Sequence, residues 1–134
     1  MNSGCYHLLI YIKRKISFKA GSLGEVNLKK GYYVYTGSAM KNLNQRVERH
    51  LRKSDKKNKW HIDFLLSNEE AKIIAVKLFL SDEKEECKRN QLMLKIKNVY
   101  VPVEGFGSSD CNICPAHLLG FDKIKKADFL KLFL

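Results

Sequence analysis

Residues 5–12, Cys-Tyr-His-Leu-Leu-Ile-Tyr-Ile, are almost continuously apolar. A run this short, rich in aromatic and β-branched residues, reads as a strand shielded on both faces, not as an amphipathic helix. Such a strand must lie inside a sheet with cover on either side. The chain has 134 residues and a mass of 15.5 kDa. A chain of that size forms one domain and buries roughly two-thirds of its unfolded surface. The expected domain is therefore single, spanning residues 1–134.

The pattern beyond the first strand is mixed. Ile16-Ser17-Phe18 and Val26-Asn27-Leu28 alternate about a glycine-containing stretch, which predicts a hairpin over residues 16–28. A strand is expected at 32–36, then a helix from Asn42 as N-cap to about residue 53, with Leu43, Val47 and Leu51 as its apolar stripe. Further helices are expected at 60–66 and from 83 or 84 to about 97, the latter with Cys87, Leu92, Met93 and Ile96 inward. A buried strand is expected at 73–80 and an extended segment at 99–103. An irregular loop follows at 105–115, and a short helix at 127–134. The sum is an α+β fold with a small mixed or antiparallel sheet flanked by helices and carrying an inserted hairpin.

Charge narrows the function. Twenty-five Lys and Arg stand against fourteen Asp and Glu, a formal net charge of +11. Residues 41–59 hold Lys41, Arg46, Arg49, Arg52, Lys53, Lys56, Lys57 and Lys59 against Glu48 and Asp55, so six of the eleven excess charges sit in one window. A solvated helix face mixes signs, whereas a one-sign block suits a polyanion, and DNA is the expected partner. The longest apolar runs fall far short of the ~20 residues of a membrane span. The first residues lead into a strand without a signal peptide, and four scattered cysteines suit a reducing compartment, so a cytoplasmic protein is expected.

The chemistry concentrates around Tyr35-Thr36-Gly37-Ser38 and Arg46-Val47-Glu48-Arg49-His50. Tyr35 ends a strand, Gly37 turns the chain, and Arg46 and His50 share one helix face at i, i+4. Arginine neutralises phosphate oxygens bidentately, while tyrosine or histidine can move a proton. Taken alone, each has a plainer reading: a strand tyrosine is usually packing, and a helix arginine usually a surface charge.

Taken in order, the blocks resemble the GIY-YIG nuclease superfamily. Gly4-Cys5-Tyr6 and Tyr35-Thr36-Gly37 stand at its two triplets, Arg46 and His50 at its Arg-x-x-x-His helix, and Glu86 at its metal-binding glutamate. Cys5 and Thr36 replace isoleucines, and the predicted hairpin widens the gap between the triplets. A small branch with such spacing also shares Gly37-Ser38-Ala39, a Trp-His-Ile-Asp block at Trp60, Glu86-Cys87 and the Phe-Gly-Ser-Ser-Asp-Cys loop at residues 106–111. The resemblance implies that Tyr6, Tyr35, Arg46 and His50 are catalytic and that Glu86 holds Mg²⁺ or another divalent ion. Gly37, Ser38, Arg49 and Lys53 are expected to bind substrate. In that reading Tyr6 helps take a proton from the attacking water, with Arg46 lowering its pKa.

Two features stand outside this set. Cys111-x-x-Cys114-x-x-His117 has zinc-like spacing, but a closed site needs four ligands and usually a second ligand pair further on, and only Cys87, Cys5 or another histidine could complete it. Packing or loop bracing is therefore preferred there to structural Zn²⁺. Ser109 and Asp110 are candidates for substrate contact, and Trp60 and His61 for structural roles. The function expected is metal-dependent hydrolysis of DNA phosphodiesters, as by a structure-selective endonuclease of repair or recombination. The alternatives are a non-catalytic nucleic-acid-binding module of the same fold and a zinc-braced interaction domain.

Overall fold

A computed structural model describes residues 1–53, 57–108 and 111–134. Its main sheet has five antiparallel strands in the order β5-β1-β4-β7-β6. These strands are β1 (Gly4–Ile12), β4 (Gly31–Ala39), β5 (Ala71–Leu80), β6 (Val99–Tyr100) and β7 (Leu118–Phe121). The predicted hairpin is present as a separate two-stranded sheet, β2 (Ile16–Lys19) and β3 (Glu25–Leu28), joined through a short 3₁₀ turn. Four helices complete the α+β fold: α1 (Leu43–Leu51), α2 (His61–Leu66), α3 (Glu86–Met93) and α4 (Lys126–Phe133). Among the described residues no helix is long and apolar enough to cross a membrane.

β1 is buried on both faces, as its apolar run requires. On one face Tyr6, Leu8, Ile10 and Ile12 pack with Leu43 and Val47 of α1, Ile62 and Leu65 of α2, and Phe106. On the other, Leu9 joins Val34, Met93, Leu119, Phe129 and Phe133. Fully burying such side chains contributes ~1.5–3 kcal/mol each, so both faces hold the strand. The register sets Tyr6 opposite Gly37 and Leu8 opposite Tyr35, which brings the two tyrosines to one face of neighbouring strands.

Several local expectations shift. Asn42 does not cap α1 with its side chain and takes a left-handed conformation instead. The cap comes from Asn2, whose backbone oxygen accepts the Leu43 N–H at 3.1 Å and whose Oδ1 accepts the Asn44 N–H at 2.9 Å. The α1 stripe is Leu43, Val47 and His50, with Leu51 exposed. α3 is shorter than predicted and buries Asn90 and Met93, while Leu92 is exposed. β5 lies at a sheet edge and is only half-buried over most of its length. β7, unpredicted, adds a strand against β4.

One buried group on β1 carries a pH consequence. His7 is 6% exposed, with its ring against Phe79 and Phe133, and neither ring nitrogen has a hydrogen-bond partner among the described residues. Burial, aided by the nearby Arg89 guanidinium, pushes its pKa down to about 4. The unfolded chain therefore binds a proton that the folded chain refuses between roughly pH 6.5 and pH 4. The resulting stability is fully present above pH 6.5 and is lost as pH falls through that window, by about 3 kcal/mol. His7→Leu should flatten this part of the curve, leaving a residual slope of the same sign from His61 and His117, whose pKa values burial also lowers. Urea unfolding from pH 7.5 to 4 checks this, and superimposable curves for variant and parent would remove His7 as the cause.

Candidate active site

Tyr6, Tyr35, Arg46 and His50, chosen from the sequence as catalytic, all line one cavity of about 280 Å³. Gly37 and Ser38 line it too, with Trp60, Lys84, Glu86, Gly107 and His117. The sheet register delivers the tyrosines, α1 delivers Arg46 and His50 one turn apart, and the residues leading into α3 deliver Lys84 and Glu86.

In the pocket the Tyr6 hydroxyl meets His50 Nε2 at 2.7 Å. Burial pushes the Tyr6 phenol well up, although Arg46 pulls the other way. Tyr35 is pushed up strongly for the same first reason. This reverses the sequence argument for Tyr6: burial outweighs the arginine, so the phenol stays protonated. Two glycines are shaped by the tyrosines. A Cβ on Gly37 would collide with the Tyr6 hydroxyl. A Cβ on Gly107 would come within 2.7 Å of the Tyr35 ring, and Gly107 has φ +71°, where L side chains are strained.

Arg46 is held in place before any ligand arrives. Its Nη1 donates to the Ser38 carbonyl at 3.2 Å, and its guanidinium lies 4.6 Å from the centre of the Trp60 ring. Such cation–π contacts contribute ~0.5–1 kcal/mol at exposed sites and more when desolvated. Arg49 stacks on the same ring at 4.6 Å.

Arg49 and Lys53, expected to bind substrate, do not line this cavity. Arg49 grips the fully buried Asp63 carboxylate at 2.7 and 3.0 Å and also donates to the Lys57 carbonyl. Burial alone would raise the Asp63 pKa, but Arg49 and the N–H groups of Trp60 and Lys59 hold it below the ordinary value. Asp63 thus caps α2 and ties it to α1. Lys53 Nζ donates to the carbonyls of Leu66, Asn68 and Ala71, where the end of α2 and its following turn leave acceptors exposed. Both cations sit in the basic window, but both are spent on the fold. His61 is structural as expected: its Nδ1 accepts the Gly107 N–H at 2.9 Å and fixes the loop behind Tyr35.

Sequence reasoning missed Lys84 and His117 as pocket residues and assigned Trp60 to structure alone. The basic Lys84 two residues before Glu86 was a weak available signal. His117 was visible only as part of its Cys-x-x-Cys-x-x-His run. Ser109 and Asp110, like Lys56 and Asp55 of the basic window, lie outside the described residues.

The expectation of Mg²⁺ on Glu86 is corrected by the donors around it. Glu86 Oε1 faces Lys84 Nζ at 3.4 Å, and Oε2 faces His117 Nδ1 at 3.8 Å. Beside it, Cys87, Cys111, Cys114 and His117 bring four ligand atoms within 4.8 Å of one another. Magnesium takes oxygen ligands, whereas thiolates and an imidazole select zinc. The four-ligand requirement that argued against zinc is met by Cys87, one of the residues the sequence offered to complete the site.

No curated protein and no solved structure matches the chain. The resemblance to the GIY-YIG nucleases is also corrected: the match found is to a different family model, and none to that superfamily. Short aromatic and glycine triplets on paired strands are common sheet chemistry and do not by themselves specify a family. The model described as Domain of unknown function DUF123 matches residues 5–132, and the chain belongs to that family.

Proposed function

We propose that the pocket binds and hydrolyses a phosphodiester of DNA, and that the protein is a structure-selective endonuclease of repair or recombination. The observation that carries this reading is the 2.7 Å contact between the Tyr6 hydroxyl and His50 Nε2 in a cavity also lined by Arg46. In the proposed reaction a water oxygen attacks phosphorus, and the bond to the leaving oxygen breaks as that oxygen takes a proton from solvent. The water's proton passes to the Tyr6 oxygen as Tyr6 gives its own proton to His50. This relay needs no free phenolate, so it is compatible with a phenol that burial keeps protonated. Arg46 and Lys84 supply positive charge to the phosphoryl oxygens. The proposed setting is the cytoplasm, where thiols stay reduced.

A second reading is a nucleic-acid-binding module without turnover. The upward push on both Tyr6 and Tyr35 favours it, because neither phenol is poised to ionise. Labelled duplex, flap, branched and single-stranded DNA incubated with the protein and with Arg46→Ala separates the two. Cleavage lost in the variant supports hydrolysis. Binding without cleavage of any substrate leaves the module, and neither binding nor cleavage ends both readings.

The binding surface has its own test. Lys41, Arg52, Lys57 and Lys59 are exposed cations of the basic window. Replacing these four by glutamine should weaken DNA binding and flatten its salt dependence by about 0.9 log units per log unit of salt for each phosphate no longer neutralised. Base preference should not change, since phosphate contacts carry no sequence information directly. Fluorescence anisotropy over a salt series measures both, and an unchanged slope would make this face plain solvated surface.

A further inference from the structure

We propose that Cys87, Cys111, Cys114 and His117 bind one Zn²⁺ as a closed four-ligand centre. The inference stands on these residues alone and does not depend on the reaction proposed above.

Four donors converge from two separate parts of the chain, the first turn of α3 and the 111–117 loop. In a tetrahedral zinc site, metal–sulfur bonds of ~2.3 Å and metal–nitrogen bonds of ~2.0 Å place donor atoms about 3.5–3.8 Å apart. Cys87 Sγ lies 3.7 Å from His117 Nε2, and no donor pair exceeds 4.8 Å. The Cys87 and Cys111 sulfurs are in contact, with Cα atoms 6.8 Å apart. A disulfide alone would use those two sulfurs and leave no reason for a third thiol and an imidazole to gather on them.

The surroundings suit bound thiolates and a neutral imidazole. His117 offers Nε2 to the cluster, and its Nδ1 lies 3.8 Å from Glu86 Oε2, beyond hydrogen-bond distance. Gln91 Nε2 donates to Cys114 Sγ at 3.5 Å, a hydrogen bond that stabilises negative sulfur. His117 is also fixed by its backbone: its N–H donates to the Phe106 carbonyl, and its carbonyl accepts the Thr36 N–H. Zinc here would lock the start of α3 to the loop and to β4. Because Glu86 and His117 both line the cavity, the metal centre is one wall of the pocket.

Protein purified under reducing conditions should contain one zinc per chain by elemental analysis. Replacing zinc with Co²⁺ should give the visible and near-ultraviolet bands of a tetrahedral, thiolate-rich centre. Cys111→Ser and Cys114→Ser should lose the metal, whereas Cys5→Ala should keep it, since Cys5 lies outside the cluster. If a cysteine variant fails to fold, Co²⁺ titration of the metal-stripped parent still decides. Absence of zinc and of the cobalt bands in the reduced parent would overturn the proposal. So would metal retained in full by Cys114→Ser, or a Cys87–Cys111 disulfide that accounts for both thiols in reduced protein. None of these readings depends on cleavage, so failure of the nuclease proposal would leave the zinc result intact.

Discussion

Arg46→Ala is expected to lower kcat for DNA cleavage by about 10³- to 10⁵-fold, while DNA affinity falls only slightly. The size follows from what an arginine contributes when it meets charge that develops on a transferring phosphoryl group. Affinity is spared because many other cations remain, with 25 Lys and Arg in the chain. The split between kcat and binding is the signature of an interaction made mainly in the transition state. Preorganisation raises the expected effect: the Ser38 carbonyl and the Trp60 ring already hold the guanidinium, so little is spent ordering it during reaction. Single-turnover cleavage beside anisotropy binding measures both quantities. A variant within tenfold of the parent in kcat would remove Arg46 from the proposed chemistry.

The second large effect concerns the proton path. Tyr6→Phe and His50→Gln should each lower kcat by about 10²- to 10⁴-fold, the range expected of general acid–base catalysis. The double variant should be no slower than the slower single one. Residues that act as one unit fail to add, because removing either breaks the whole relay. The 2.7 Å contact makes Tyr6 and His50 such a unit. Glutamine is chosen because it can keep a hydrogen bond to the phenol but cannot take up a proton at neutral pH. Thermal melting beside the kinetics separates loss of chemistry from loss of fold. Rate losses that multiply in the double variant would mean that the two residues work independently.

Much of this arrangement was legible along the chain. The apolar run at 5–12 predicted a strand buried on both faces, and β1 is one. The alternation at 16–28 predicted the hairpin that β2 and β3 form. Tyr6, Tyr35, Arg46 and His50 were chosen together and line one cavity. The strand and hairpin readings worked because a local apolar pattern shows which faces are covered without knowledge of what lies opposite. The roles of the cations were not legible in that way. Arg46, Arg49 and Lys53 look alike in sequence, yet one lines the pocket, one holds a buried aspartate and one caps the end of a helix. Nor was the ionisation of Tyr6, because the balance between burial and Arg46 exists only once the core has closed over the phenol.

The sequence by itself determined the layered α+β class and the net basic charge, since these follow from short-range periodicity and composition. Only the tertiary structure decided which charges are spent on the fold and which distant donors meet. Asn2 caps a helix that starts 41 positions later, and Cys87 reaches a loop whose first cysteine is 24 residues away. Contacts of that span depend on how the sheet and helices pack. Packing is set by the sum of many buried contacts, whereas a motif reports only its own neighbourhood. For the same reason the pocket's chemistry was suggested by local motifs, while the thiol and imidazole donors beside it came together only in the fold.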